Sequence, residues 1–150
     1  MEKEFVLVRS MRDMIISSVV TVAGVLLVVI PVSVSLNILG VCLAVPGLLL
    51  LLFYKSDHKD VATGEKYHKT IKYYPVSRKQ ELLSALESGT PAKTDWKESS
   101  SSDGLMLEVL EGRDNGNVFV RLSEFIPYNY EPCGGWFQFD RQQAAAMLKK

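Results

Sequence analysis

The chain has 150 residues, 47% of them hydrophobic, a formal net charge of zero and a mean hydropathy of +0.10. This size leaves room for one small domain of about 95 residues beside any membrane anchor. Of the two cysteines, Cys42 falls in a long apolar stretch and Cys133 far outside it, so they are not expected to meet in a disulfide.

Both averages hide sharp contrasts. Residues 14–54 hold no charged side chain. That run is about twice the ~20 apolar residues that one helix needs to cross a bilayer. As a single helix it would be roughly 60 Å long at 1.5 Å per residue, too long for a ~30 Å hydrocarbon core. Pro31, followed by Ser33, Ser35 and Asn37, marks a break, because proline removes a helical donor and serine and asparagine compete for backbone bonds. The pattern predicts two transmembrane helices over about 12–30 and 36–54, with a turn near 31–37. The expected organisation is a cytoplasmic leader at 1–13, the hairpin at 14–54, a basic juxtamembrane connector at 55–66 and a cytoplasmic α+β domain at 67–150.

Charge sets the expected orientation. Arg9 and Arg12 flank the first span, Lys55 and Lys59 the second, and the turn carries no Lys or Arg. Lys and Arg gather on the cytoplasmic side, so both termini are expected there, in an integral protein of a bacterial inner membrane. Residues 55–79 carry seven basic against three acidic side chains, while 80–150 carry seven against eleven. The long apolar run, and a leader bearing Glu2, Glu4 and Asp13, argue against a cleaved signal peptide.

Within the spans, Ser17, Thr21 and Gly24 recur at helical spacing, as do Gly40, Ala44 and Gly47. Helices in lipid associate where small residues let backbones approach. A turn centred near Val34 would pair Thr21 with Gly47, Gly24 with Ala44 and Val28 with Gly40. The helix–helix packing residues are therefore expected to be Thr21, Gly24, Gly40, Ala44 and Gly47. Self-association through the membrane helices stays open.

Phe5 to Val8 read as an early start of the first helix or a segment lying on the membrane surface. Residues 56–66 are polar and read as a connector. A strand is expected at 67–76, with Tyr67, Ile71 and Tyr73 on one side and Pro75 at its far end. Ser77, with Gln80 three residues on, has the form of a capping box opening a helix that buries Leu82, Leu83 and Leu86 and closes at Gly89. A short strand is expected through 93–97, and the serine run at 99–102 reads as a flexible loop. Residues 105–111 and 117–126 flank an Asn115-Gly116 turn, a strong hairpin signal. Pro127 and Pro132 bracket an edge continuation, Gly134-Gly135 turns into a last strand at 136–139, and Asp140 with Gln143 opens a final helix carrying Ala144, Met147 and Leu148. The fold class is thus a membrane α-helical hairpin followed by a small α+β domain, its helices on one side of a mostly antiparallel sheet.

Motifs that would name a chemistry are weak. Cys133 beside Gly134-Gly135 resembles a nucleophile next to backbone N–H groups, but the available bases are His58 and His68, near the membrane. Asp57, His58, Asp60 and His68 lack the spacing of a metal site. No phosphate loop or dinucleotide fingerprint occurs, so no cofactor is expected. Lysines interleaved with tyrosines at 66–74 suit a membrane interface better than nucleic acid. The aromatic residues exceed what a small sheet buries, which points to a partner-binding edge carrying Tyr128, Tyr130 and Trp136. The expected function is non-enzymatic: a small integral membrane protein that presents a cytoplasmic module to a protein partner. Two other classes stay open. One is a membrane immunity or stress protein acting on another membrane protein, and the other is a membrane-tethered thiol enzyme using Cys133.

Overall fold

The computed structural model describes residues 3–98 and 104–149. The serine run at 99–102 falls outside them. The chain divides into two compact units, Leu7–Asp57 and a second made of Met1–Val6 with His58–Lys150. Two long apolar helices near the N-terminus are followed by an antiparallel sheet domain.

The first unit is a helical hairpin of α1 (Met11–Val29) and α2 (Val34–Phe53). The link between them is shorter than the sequence suggests. Ser33 takes an extended conformation and its hydroxyl accepts from Leu36 N at 3.3 Å, so α2 starts at Val34. The Asn37 side-chain nitrogen donates to Leu27 O, Ile30 O and Ser33 O at 3.1–3.3 Å in the amide orientation that satisfies both of its ends. One polar side chain thereby takes up carbonyls where α1 ends, which a helix terminus leaves unbonded. At the other end of the hairpin, Arg9 Nη2 donates to Leu52 O at 2.8 Å, and the Ser56 hydroxyl bonds to Asp13.

The burial pattern of this hairpin is inverted relative to an ordinary core. Its buried helical residues are Ser17 and Gly24 in α1 and Gly40 and Gly47 in α2. The large side chains point outward, among them Val19, Leu26, Leu39 and Leu49. A Cβ added at Gly24 would lie 2.4 Å from Ala44 N, one at Gly40 would lie 2.9 Å from Val28 Cγ2, and one at Gly47 would lie 2.7 Å from Thr21 Oγ1. The two backbones meet through glycine because no other residue leaves the space.

The second unit is built on a seven-stranded sheet: β1 (Phe5–Val8), β2 (Asp57–Asp60), β3 (Lys66–Tyr74), β4 (Leu105–Gly112), β5 (Asn117–Ile126), β6 (Asn129–Pro132) and β7 (Phe137–Asp140). The order is β1-β2-β3-β4-β5-β6, with β7 also pairing β5. The outer half of β5 pairs with β6 and its first half with β7, all antiparallel. The β4–β5 hairpin turns at Gly116, which has φ +68.

Four expectations are corrected here. Phe5–Val8 is a strand, not the start of a helix. The polar connector holds β2, whose Asp60 N bonds Glu65 O across a turn at Gly64. Ser77 does not cap: residues Val76–Arg78 form a 3-10 turn, and α3 (Lys79–Glu87) follows with no side-chain cap. Residues 93–97 are not a strand, because the 3-10 turn Pro91–Lys93 delivers Trp96 to the core, where its Nε1 donates to Pro91 O and Tyr74 OH donates to Trp96 O.

Alternation sorts the sheet into two covered faces. On one, Tyr74, Leu105, Leu107, Val109, Val118, Val120 and Leu122 pack with Leu82 and Leu86 of α3 and Met147 of α4 (Ala145–Leu148). Both helices lie on this face. The expected cap at Asp140 does not open the last helix: its N–H donates to Gln143 Oε1 at 3.1 Å within a turn over residues 141–144, and α4 begins at Ala145 with no side-chain cap. On the other face, Tyr67, Leu110, Phe119 and Trp136 form a second cluster with Phe5.

Candidate functional site

The second face is concave. β1 and β5 are four places apart in the sheet order, about 19 Å in a flat sheet at ~4.8 Å per strand. The Phe5 and Phe119 rings nevertheless lie 5.8 Å apart, centre to centre. The sheet therefore curls toward this face. Phe5 also meets Tyr67 edge-on at 5.6 Å and Trp136 at 5.0 Å, arrangements that aromatic quadrupoles favour.

Across this floor runs a charged cluster. Glu108 of β4 pairs with Arg121 of β5 in the ladder, and it is 4% exposed. Arg121 Nε and Nη2 both donate to its Oε2, while Lys69 bonds its Oε1. Burial pushes the Glu108 carboxyl up, but the hydrogen bonds and charges of Lys69 and Arg121 outweigh this and hold it below the usual carboxylate range. Arg121 also lies over the Trp136 ring at 4.4 Å. At the rim, Lys3 bridges to the buried Asp60 at 2.8 Å and sits 4.1 Å from the Phe119 ring centre. Burial raises Asp60 too, and bonds from Lys3, Ala62 and Thr63 bring it below its ordinary value.

Two spaces open between these groups. An inner cavity of about 250 Å³ is lined by Lys3, Glu4, His58, Lys69, Glu108 and Arg121 together with Phe5, Leu110 and Trp136. A wider one of about 800 Å³ shares Lys3, Glu4, Arg121 and Trp136 and extends over Pro132, Gly134 and Gly135.

Of the expected partner edge, Tyr128 is fully exposed and has φ +78, a left-handed conformation that bulky residues avoid. It sits in the two-residue turn joining β5 to β6, where Ile126 pairs with Asn129. Tyr130 packs against Phe125 at 5.2 Å and Tyr73 at 6.4 Å, and Phe125 and Ile126 are about two-fifths exposed, at 40% and 41%. Trp136 is not on this edge. It is 8% exposed and belongs to the concave-face cluster, because the curl turns its ring inward onto Phe5.

Cys133 N donates to Leu122 O at 2.8 Å, and burial pushes the thiol up, with Lys79 opposing and Glu124 adding. His68 lies opposite Glu111 on the β3–β4 ladder, and His58 lines the inner cavity. Neither histidine is among the groups that act on the thiol. The two cysteines are both free. Among the described residues, no three His, Cys, Asp or Glu side chains converge. Sequence reasoning missed the Glu108 cluster. Its one signal was a charged residue inside an otherwise apolar strand, Leu-Met-Leu-Glu108-Val-Leu.

Comparison of the chain with protein-family models, with curated proteins and with solved structures finds no match.

Proposed function

We propose that this chain is a small integral membrane protein whose hairpin α1–α2 spans a bilayer and whose sheet domain presents a binding edge to a protein partner. The observation that carries the membrane part is the inverted burial of the hairpin. Each helix is long enough to cross, and 11% of each span is buried. In water those outward-facing Val, Leu and Ile side chains would cost about 25 cal/mol for every Å² exposed, whereas lipid accepts them. Close glycine contacts are how helices pair without a hydrophobic force between them. The arginines and lysines flanking the spans favour both termini on the cytoplasmic side.

The partner edge rests on Tyr128. A backbone residue held at positive φ costs on the order of 1–3 kcal/mol. Here a fully exposed tyrosine takes that conformation beside Phe125 and Ile126. Exposed aromatic residues of this kind anchor protein interfaces.

Photo-crosslinking in intact cells tests both parts. A benzophenone residue at Tyr128 should yield a discrete protein adduct in the membrane fraction, and one at Val61, at the other end of the sheet, should not. In a Cys42→Ser, Cys133→Ser background, Val32→Cys should react with an impermeant maleimide from outside, and Ala92→Cys should be protected. Chain recovered in the soluble fraction, or the reverse labelling, would end the membrane reading. Adducts equal at both positions would end the partner edge.

A further inference from the structure

The concave face has N–H donors beyond what its own carboxylates use. Among the described residues, Arg121 spends the N–H groups at Nε and Nη2 on Glu108, Lys69 spends one donor on Glu108, and Lys3 one on Asp60. A guanidinium has five N–H donors and an ammonium three, so most of the donors of this trio are not consumed by those bonds. Lys3, Lys69 and Arg121 line the inner cavity against two carboxylates, Glu4 and Glu108. Glu108 already has a partner at each oxygen. With the Asp60 that Lys3 bridges, three carboxylates balance these three cations, so what the recess offers an anion is its unspent N–H donors, in a partly buried setting where charge interactions are stronger than in water.

Beside that recess the wider space changes character. Its walls are the Trp136 ring, Pro132 and the Gly134-Gly135 backbone, and nothing lies within 4 Å of where a Gly134 side chain would begin. Volumes of about 250 and 800 Å³ suit a small molecule, not a folded partner.

We propose that this concave face is a binding site for a small organic anion, a carboxylate or phosphate monoester carrying a flat apolar body. The anionic group sits among Lys3, Lys69 and Arg121, and the apolar body lies along Trp136 and Pro132 over the glycine pair. The site is separate from the Tyr128 edge and does not depend on the membrane reading.

The test uses the full-length protein in mild detergent, labelled with 5-fluorotryptophan. Its two ¹⁹F resonances, from Trp136 and Trp96, are assigned with Trp→Phe variants. Trp96 lines a different space with Lys72 and Lys149 and serves as the internal control. Phenyl phosphate and benzoate are titrated separately, with benzyl alcohol as the neutral counterpart. The expected result is a saturable shift of the Trp136 resonance with at least one anion, a still Trp96 resonance, and no shift with benzyl alcohol. A response to phenyl phosphate alone or to benzoate alone supports the site and identifies the head group it selects. Arg121→Gln should weaken binding about tenfold or more, the loss of a charge-assisted hydrogen bond. Lys3→Gln, which leaves the Glu108 cluster intact, should weaken it in the same direction and guards against misfolding of the first variant. Silence of Trp136 with both anions, an equal shift with benzyl alcohol, movement of both resonances together, or wild-type affinity in a folded Lys3→Gln protein would each overturn the proposal.

Discussion

Glu108 and Arg121 face each other across the β4–β5 ladder, and two guanidinium nitrogens converge on one carboxylate oxygen, Nε at 2.8 Å. Lys69 holds the other oxygen. The carboxylate is thus the hub of a three-member cluster in the middle of a sheet. Removing the hub should be costly, because two partly buried cations lose their counter-charge.

The first expected outcome follows. Glu108→Gln should destabilise the sheet domain by about 1–3 kcal/mol at neutral pH, read by chemical denaturation. The pH dependence has a definite sign. Folding holds the carboxyl below its ordinary value of 4.5, so the folded chain binds fewer protons than the unfolded chain as the pH falls. The stabilisation is complete above pH 4.5 and drains away as the pH drops through the folded-state value. Glu108→Gln should flatten that acid slope, with the remainder shared by Asp60 and Glu81, which are also held below their ordinary values. An unchanged slope would show that Glu108 does not titrate in this way.

In the hairpin, Gly24→Ala should suffice to disrupt packing, since its new carbon would fall 2.4 Å from a backbone nitrogen that cannot swing aside. Val19→Leu, at a position 62% exposed, should be neutral. Thermal unfolding in detergent checks both. Equal behaviour would mean that the helices do not meet at Gly24.

Tyr128 should separate stability from the proposed binding. Tyr128→Gly should stabilise the isolated fold by about 1 kcal/mol, because glycine adopts positive φ without steric cost. The same change should abolish capture of the partner in pull-downs. A variant that is both less stable and fully competent would contradict the strained-edge reading.

Trp136→Ala should cost about 3–5 kcal/mol, as expected for an aromatic removed from a packed cluster. Cys133→Ser should leave stability and cellular function unchanged, since the burial that raises its thiol works against a reactive thiolate. Loss of function in a folded Cys133→Ser protein would put a thiol chemistry first.

The two helices were readable because a charge-free run of 41 residues admits few alternatives, and a proline with three small polar residues marks where it breaks. The glycine contacts were readable from helical spacing alone. The β4–β5 hairpin announced itself through Asn115-Gly116. β1 was hidden because four apolar residues that lead into a longer apolar run look like its beginning. Its partner β2 lies some fifty residues on, and the buried residues of β2 are Asp57 and Asp60, so it imitates a solvated linker. Trp136 was placed on the wrong surface for a related reason. A sheet covered on both faces buries aromatics of either parity, so alternation alone does not tell inside from outside.

The order in which the chain visits its two units bears on how the domain can be handled. Residues 3–6 leave the sheet, the hairpin follows, and the chain returns at His58. The hairpin is an insertion into the sheet domain, not an anchor added to one end of it. Val61 N bonds Glu4 O at 3.1 Å, and Phe5 fills the centre of the aromatic cluster. A water-soluble fragment begun after the second helix would therefore lack a strand and leave Tyr67, Phe119 and Trp136 uncovered, ready to aggregate. A gene that splices residues 3–8 onto residue 57 through a short flexible loop would keep every strand of the sheet and omit both apolar helices.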